Sequence, residues 1–249
     1  MYKRFGFGLM AAAGVVLLSS TSAMAYTASE IVATAVDNLD NISDYSASVD
    51  AANDTTQVTE MSGATLQWKR ASGLQKMYVA TGTPFTAIIV TDGTAWNTWD
   101  TTSQYSRSEY QLYYASDSGM TESTHGQVAW DFFDTLAVLS NHTWSLDDNT
   151  YTVNSVECYR LYCTGYEVWI DTATRTKVVR LKEYDASSVL LWQMDYSDYS
   201  NVQSIAQVPA TIKTSKYDGG VLQWTADYSF TDITLNQSLS DNVFAVTGP

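Results

Sequence analysis

The chain has 249 residues, with 27 acidic against 13 basic side chains and a formal net charge of −14. A surface this acidic excludes the basic patches of nucleic-acid binders and disfavours docking on anionic lipid headgroups. It names no partner and is met equally well by a solvated acidic shell.

Lys3 and Arg4 form a short basic region, Phe5 to Leu18 an apolar one, and Ala23-Met24-Ala25 a small-residue cleavage site. Together they predict a secretory signal peptide over residues 1–25, with the mature chain starting at Tyr26. The apolar run is short for a membrane span, and no Cys stands at the cleavage site to carry a lipid anchor. The expected location is the periplasm. Residues 26–249 contain no Pro- or Gly-rich linker and no break in composition, so one domain is expected.

Thr27-Ala-Ser-Glu30 has the form of a capping box. Ile31, Ala35, Leu39 and Ile42, flanked by Val32 and Val36, follow at helical spacing, which predicts an amphipathic helix from about Ala28 to Asn41. At Tyr45, Ala47 and Val49 the apolar period changes to two, the mark of a strand. From Gly63 to about Tyr114 strands continue, punctuated by Ser72-Gly73, Gly82 and Asp92-Gly93. Residues 117–126 read as a loop. Val128, Phe132, Leu136 and Leu139 then predict a second helix over Gln127 to Leu139.

Six more strands are expected: Thr150–Val156, Tyr166–Asp171, Lys177–Tyr184, Val189–Tyr196, Ala210–Tyr217 and Val221–Thr231. In the last, Leu222, Trp224, Ala226, Tyr228 and Phe230 share one face, and Gln223, Thr225, Asp227 and Ser229 the other. About ten antiparallel strands with two helices predict a mainly β protein. One large curved sheet or open barrel, with helices on its concave side, satisfies that pattern.

Chemistry finds few candidates. His125 and His142 lack the spacing of a metal pair and read as surface residues, and neither G-x-S-x-G nor H-E-x-x-H occurs. No catalytic residue, metal site or cofactor is expected. Cys158 and Cys163, in an oxidising compartment, predict a disulfide closed by a turn over residues 159–162. The 8 Trp and 17 Tyr either pack a core or line a cavity. In the second case Leu66, Trp68, Met77, Val79, Ile88, Val90, Leu222, Trp224 and Tyr228 would form its wall.

Leu66-Gln-Trp-Lys-Arg70, the spaced Asp92-Gly93 and Trp99-Asp100, Val168-Trp-Ile-Asp171 with Thr174, and Phe230-Thr-Asp-Ile-Thr-Leu-Asn236 occur in this order. In that order and spacing the chain resembles the outer-membrane lipoprotein carrier (LolA-like) family. The resemblance implies an incomplete β-barrel with helices as a lid over a hydrophobic cavity. It also implies a monomeric, non-enzymatic carrier that holds lipid or lipoprotein acyl chains between an inner-membrane exporter and an outer-membrane acceptor. A sensor module on the same fold, binding a membrane-protein partner, is the alternative. By the same resemblance Arg70 is a latch that bonds lid carbonyls, and Leu74 stands at the cavity mouth. Ala71 departs from the pattern, which has Pro there.

Overall fold

The structure is a computed structural model that describes residues 26–52, 64–71, 74–81, 86–91, 96–100, 135 and 138–240. The signal-peptide segment, the expected turns at Ser72-Gly73, Gly82 and Asp92-Gly93, residues 101–134 with His125, and residues 136–137 lie outside the described residues.

Helix α1 (Ala28–Asp40) begins at the predicted capping box: the Thr27 hydroxyl accepts from the Glu30 amide, and the Glu30 carboxylate accepts from the Thr27 amide. That backbone hydrogen bond holds the Glu30 carboxyl below its usual range. Its apolar stripe, Ile31, Ala35 and Leu39, is buried. The predicted helix and its face are therefore correct. Of the second predicted helix, residue 135 and residues 138–141 are helical among the described residues.

The strands are β1 (Asp44–Ala52), β2 (Ala64–Ala71), β3 (Leu74–Thr81), β4 (Thr86–Thr91), β5 (Trp96–Asp100), β6 (Ser145–Val153) and β7 (Val156–Cys163). After them come β8 (Tyr166–Asp171), β9 (Val178–Tyr184), β10 (Leu190–Ser197), β11 (Ser200–Val202), β12 (Ala206–Val208), β13 (Thr211–Asp218) and β14 (Val221–Leu235). All but β11 and β12 join one sheet of 12 strands, ordered β5-β4-β3-β2-β1-β14-β13-β10-β9-β8-β7-β6. Among the described residues every pairing is antiparallel, and β5 and β6 are the unpaired edges of the sheet. The predicted class, a mainly β protein built on one incomplete barrel with helices, is the observed one.

Six of the pairings carry a register shift, including those at Ser46/Ser48, Leu190/Trp192 and Lys216/Tyr217. An extra residue on one strand bends it and raises the local twist, so the sheet curls. Asp232, at φ +53, lies in the β14 stretch where the β1 register slips by one. Asp is among the few non-glycine residues that adopt that conformation readily.

Two sequence expectations need correction here. The strand predicted over Thr150–Val156 is cut by Asn154 and Ser155, which take φ +48 and +65 and turn the chain back. Residues 156–163 thereby become strand β7. No turn exists over residues 159–162, so Cys158 and Cys163 stand five apart on one strand, on opposite faces, and both thiols are free. The predicted disulfide is not formed. Burial pushes the Cys158 thiol up to about 12. Native protein treated with a thiol-alkylating reagent is expected to label once, at half-buried Cys163, and twice only after denaturation. A mass spectrum showing no labelled thiol in denatured protein would restore the disulfide.

Candidate functional site

One face of the curved sheet is mainly apolar among the described side chains. It carries Tyr45, Ala47 and Val49 from β1, Leu66 and Trp68 from β2, Val168 and Ile170 from β8, Met194 and Tyr196 from β10, and Ala226, Tyr228 and Phe230 from β14. The stripe of α1 sits in the same cluster, with Ile31 and Ala35 at 0 % exposure and Leu39 at 1 %. Leu139 and Trp144 join it from the second helix and its exit. Thr135 and Tyr196 share a buried hydrogen bond of 2.8 Å, and His142 packs edge-on against Tyr166 at 4.9 Å. The second helical segment thus runs over the β8–β10 part of this face.

Helix α1 is tied down at its C-terminal end by two polar side chains. Arg70, at the end of β2, donates from Nη1 to Asp40 Oδ1 at 2.9 Å and from Nη2 to the Leu39 carbonyl at 3.4 Å. Its guanidinium also lies 5.9 Å from the Trp68 ring. Asn38 exchanges a pair of bonds with the Gln207 backbone in β12, each 2.9 Å. At the other end Arg175 stacks 3.7 Å over Tyr26. The Arg70–Asp40 side chains are 44 % and 51 % exposed, so their ion pair contributes no more than about 1 kcal/mol. Such a contact orients the helix and yields easily.

Beside Arg70 the junction between α1 and β1 is clamped by the chain after β14. Asp44, 2 % exposed, accepts from the amides of Gln237 at 2.7 Å and Ser238 at 2.9 Å, with Leu239 at 3.4 Å. Asn236 accepts from the Ser43 amide at 2.7 Å and donates to the Asn41 carbonyl at 2.8 Å. Lys69 donates to the Leu239 carbonyl at 2.6 Å. The same device recurs at Ile170-Asp171-x-x-Thr174. Asp171 accepts from the Thr174 amide and hydroxyl and from the Lys177 amide at 2.8–2.9 Å, pinning the β8–β9 turn.

The predicted cavity wall divides. Leu66, Trp68 and Tyr228 are buried on the apolar face. The register places Tyr78 opposite Trp68 and Ala80 opposite Leu66, whereas Met77 faces Lys69 and Val79 faces Gln67. Met77, Val79, and with them Val90 and Ile88, therefore occupy positions of the other face. Their alternation was read correctly within each strand, but the pairing offset between strands reverses the side. Leu222 is 50 % exposed beside the Gly219–Gly220 turn and leaves the wall. Trp224 holds a backbone position opposite Lys216, and Leu74 one opposite Ala71.

On the opposite face Arg160 is the hub of a polar cluster. It bonds Asp147 at 2.7 Å and also Glu167, which in turn accepts from the Tyr184 hydroxyl at 2.7 Å. The rings of Tyr162, Tyr151 and Trp169 surround the guanidinium at 5.6–6.0 Å. With both carboxylates accepting its protons, the guanidinium is held more firmly protonated than usual. An open groove of about 480 Å³ runs at the sheet rim between the β7–β8 and β9–β10 turns, touching Tyr162, Tyr166, Glu167 and Tyr184. It is mixed in character and is not the apolar cavity expected from the sequence. Among the described residues no three His, Cys, Asp or Glu side chains are placed to hold a metal ion, and no helix is long and apolar enough to cross a membrane.

No protein-family model matches the chain, and no curated protein matches it. Solved structures do. An outer membrane lipoprotein-sorting protein domain from Vibrio parahaemolyticus superposes with a TM-score of 0.59 at 12% identity, over 87% of this chain and 97% of that one. A DUF1329 family protein from Desulfovibrio piger gives 0.51 at 12% identity, over 88% and 98%. A LolA superfamily protein from Nitrosomonas europaea gives 0.43 at 9% identity, over 89% and 98%, a likeness too distant to add weight. The chain has the fold of the lipoprotein-sorting domain, in agreement with the LolA-like resemblance of its motifs.

Proposed function

We propose that this protein is a non-enzymatic periplasmic carrier that holds lipid or lipoprotein acyl chains against the apolar face of its open sheet. The reading takes residues 1–25 as a cleaved leader and residues 26–249 as one domain. An inner-membrane exporter would load it and an outer-membrane acceptor would unload it. The observation that carries the reading is the seating of α1. The amphipathic helix α1 inserts its stripe into the concave face of the open sheet, held at its C-terminal end by a half-exposed Arg70 pair and one asparagine. A hydrocarbon chain is a chemical substitute for that stripe.

The energies are compatible with a cycle. An acyl chain of about 14 methylenes gains on the order of 11 kcal/mol gross on leaving water, part of which is offset by displacing α1. Loading therefore stays reversible. Titration of the purified protein with a fluorescent fatty acid tests this. Saturable, stoichiometric binding is expected, and Arg70→Leu is expected to bind up to about 5-fold more tightly, because about 1 kcal/mol of helix closure is removed. Absence of saturable binding would end the carrier reading. Wild-type affinity and release in the Arg70 variant would remove the latch alone. Stable capture of one membrane protein by lipid-free protein would favour the sensor instead.

A further inference from the structure

Along β8, β9, β10 and β13 the apolar face has one charged row, and it lies at the rim. Tyr166 in β8 stands opposite Glu183 in β9, Glu183 opposite Trp192 in β10, and Trp192 opposite Lys216 in β13. Directly paired residues of antiparallel strands point to the same side of a sheet. Trp192 belongs to the central apolar cluster, so Glu183 and Lys216 flank it on the concave side. One row further in stand Val168, Leu181, Met194 and Thr214, all buried. One step outward are the turns at Gly165, residues 185–188 and Gly219–Gly220. The two charges therefore mark the line where the apolar interior meets water.

Their local partners leave both charges available. Lys216 Nζ lies 5.6 Å from the Trp192 ring centroid. Glu183 accepts a hydrogen bond from Tyr166, and burial raises its pKa above the usual carboxylate range. Among the described residues neither Glu183 nor Lys216 enters an ion pair.

Building on the carrier reading, we propose that Glu183 and Lys216 receive the headgroup of a zwitterionic aminophospholipid. Its ammonium meets Glu183, its phosphate meets Lys216, and its acyl chains run inward over Met194 and Leu181. The spacing fits. Two strand spacings separate the charged residues by roughly 9.6 Å. The flexible Glu and Lys side chains converge from that separation on a ligand whose amine lies two carbons from its phosphate, each through a charge-assisted bond. A lipid carrying only an anion would leave Glu183 uncompensated, and a neutral one would leave both charges so.

The test is extraction from vesicles containing equal parts of phosphatidylethanolamine, phosphatidylglycerol and diacylglycerol with identical acyl chains, read by native mass spectrometry. Wild-type protein is expected to retain phosphatidylethanolamine at least about 5-fold over each of the others, a preference of roughly 1 kcal/mol. Glu183→Gln is expected to abolish its preference over phosphatidylglycerol, and Lys216→Gln its preference over diacylglycerol, while Lys216→Arg retains the latter. Thermal melting checks that each variant is folded. Should the Glu183 variant unfold, the two Lys216 variants decide. Retention of all three lipids in vesicle proportions overturns the headgroup site and leaves the carrier intact. Retention of none overturns both.

Discussion

Leu39→Ala is expected to tighten the binding of a fluorescent fatty acid by about 30-fold or more while lowering the melting temperature. Leu39 is 1 % exposed and packs with Ile31 and Ala35 in the apolar cluster beneath α1. Truncating a fully buried leucine costs roughly 2–5 kcal/mol, from lost transfer energy and the cavity left behind. In a carrier whose loaded state has α1 displaced, that loss falls on the closed state alone. The competent fraction then rises, and the apparent affinity with it. About 2 kcal/mol corresponds to the 30-fold quoted. If α1 were a permanent part of the core, the melting temperature would fall and ligand affinity would stay where it was. Measuring both on the same preparation separates a displaceable helix from a fixed one.

Asp44→Ala is expected to lower stability by about 3 kcal/mol, which in a domain of this size moves the melting temperature down by about 6–12 °C. The carboxylate is 2 % exposed and accepts two short amide bonds, from Gln237 and Ser238. Hydrogen bonds to a charged group are worth roughly 1.5–3 kcal/mol each, and the orphaned amides add their own desolvation cost. Asp44→Asn retains one carbonyl acceptor and should lose about half as much. Calorimetry of the two variants checks the order. An alanine variant as stable as wild type would show that the segment after β14 contributes nothing to holding the helix–strand junction. The clamp lies beside the Arg70–Asp40 contact at the C-terminal end of α1.

The two variants act on opposite sides of one boundary. Asp44 and Asn236 fix the sheet end that follows α1, through short bonds to the amides of Gln237, Ser238 and Ser43. Arg70 holds the helix through a half-exposed ion pair and Asn38 through two bonds to one backbone position of β12. A carrier needs that contrast: a frame that does not melt when the helix leaves, and a helix that can leave.

Local pattern was enough to read the secondary structure of most of the described chain. The capping box and the 3.6-residue stripe place α1 within a residue of its true end, and strict alternation in β14 identifies Ala226, Tyr228 and Phe230 as its buried side. These signals are short-range and depend on side-chain period alone. Register between strands is not encoded that way: a one-residue offset exchanges the two faces, and the observed pairing gives Met77, Val79, Ile88 and Val90 backbone positions opposite to those of Leu66 and Trp68. The Asn154–Ser155 reversal was missed because neither residue is a strong breaker, and with it went the strand that keeps Cys158 and Cys163 apart. Asn38 carried no signal in the sequence, since its partner Gln207 is 169 residues away. The row of Glu183, Trp192 and Lys216 exists only because the β9–β10 hairpin and β13 align in this register. Composition and period thus determined a curved, mainly β sheet with an amphipathic helix. Long-range pairing alone decided which side chains that helix covers and which charges stand at the rim.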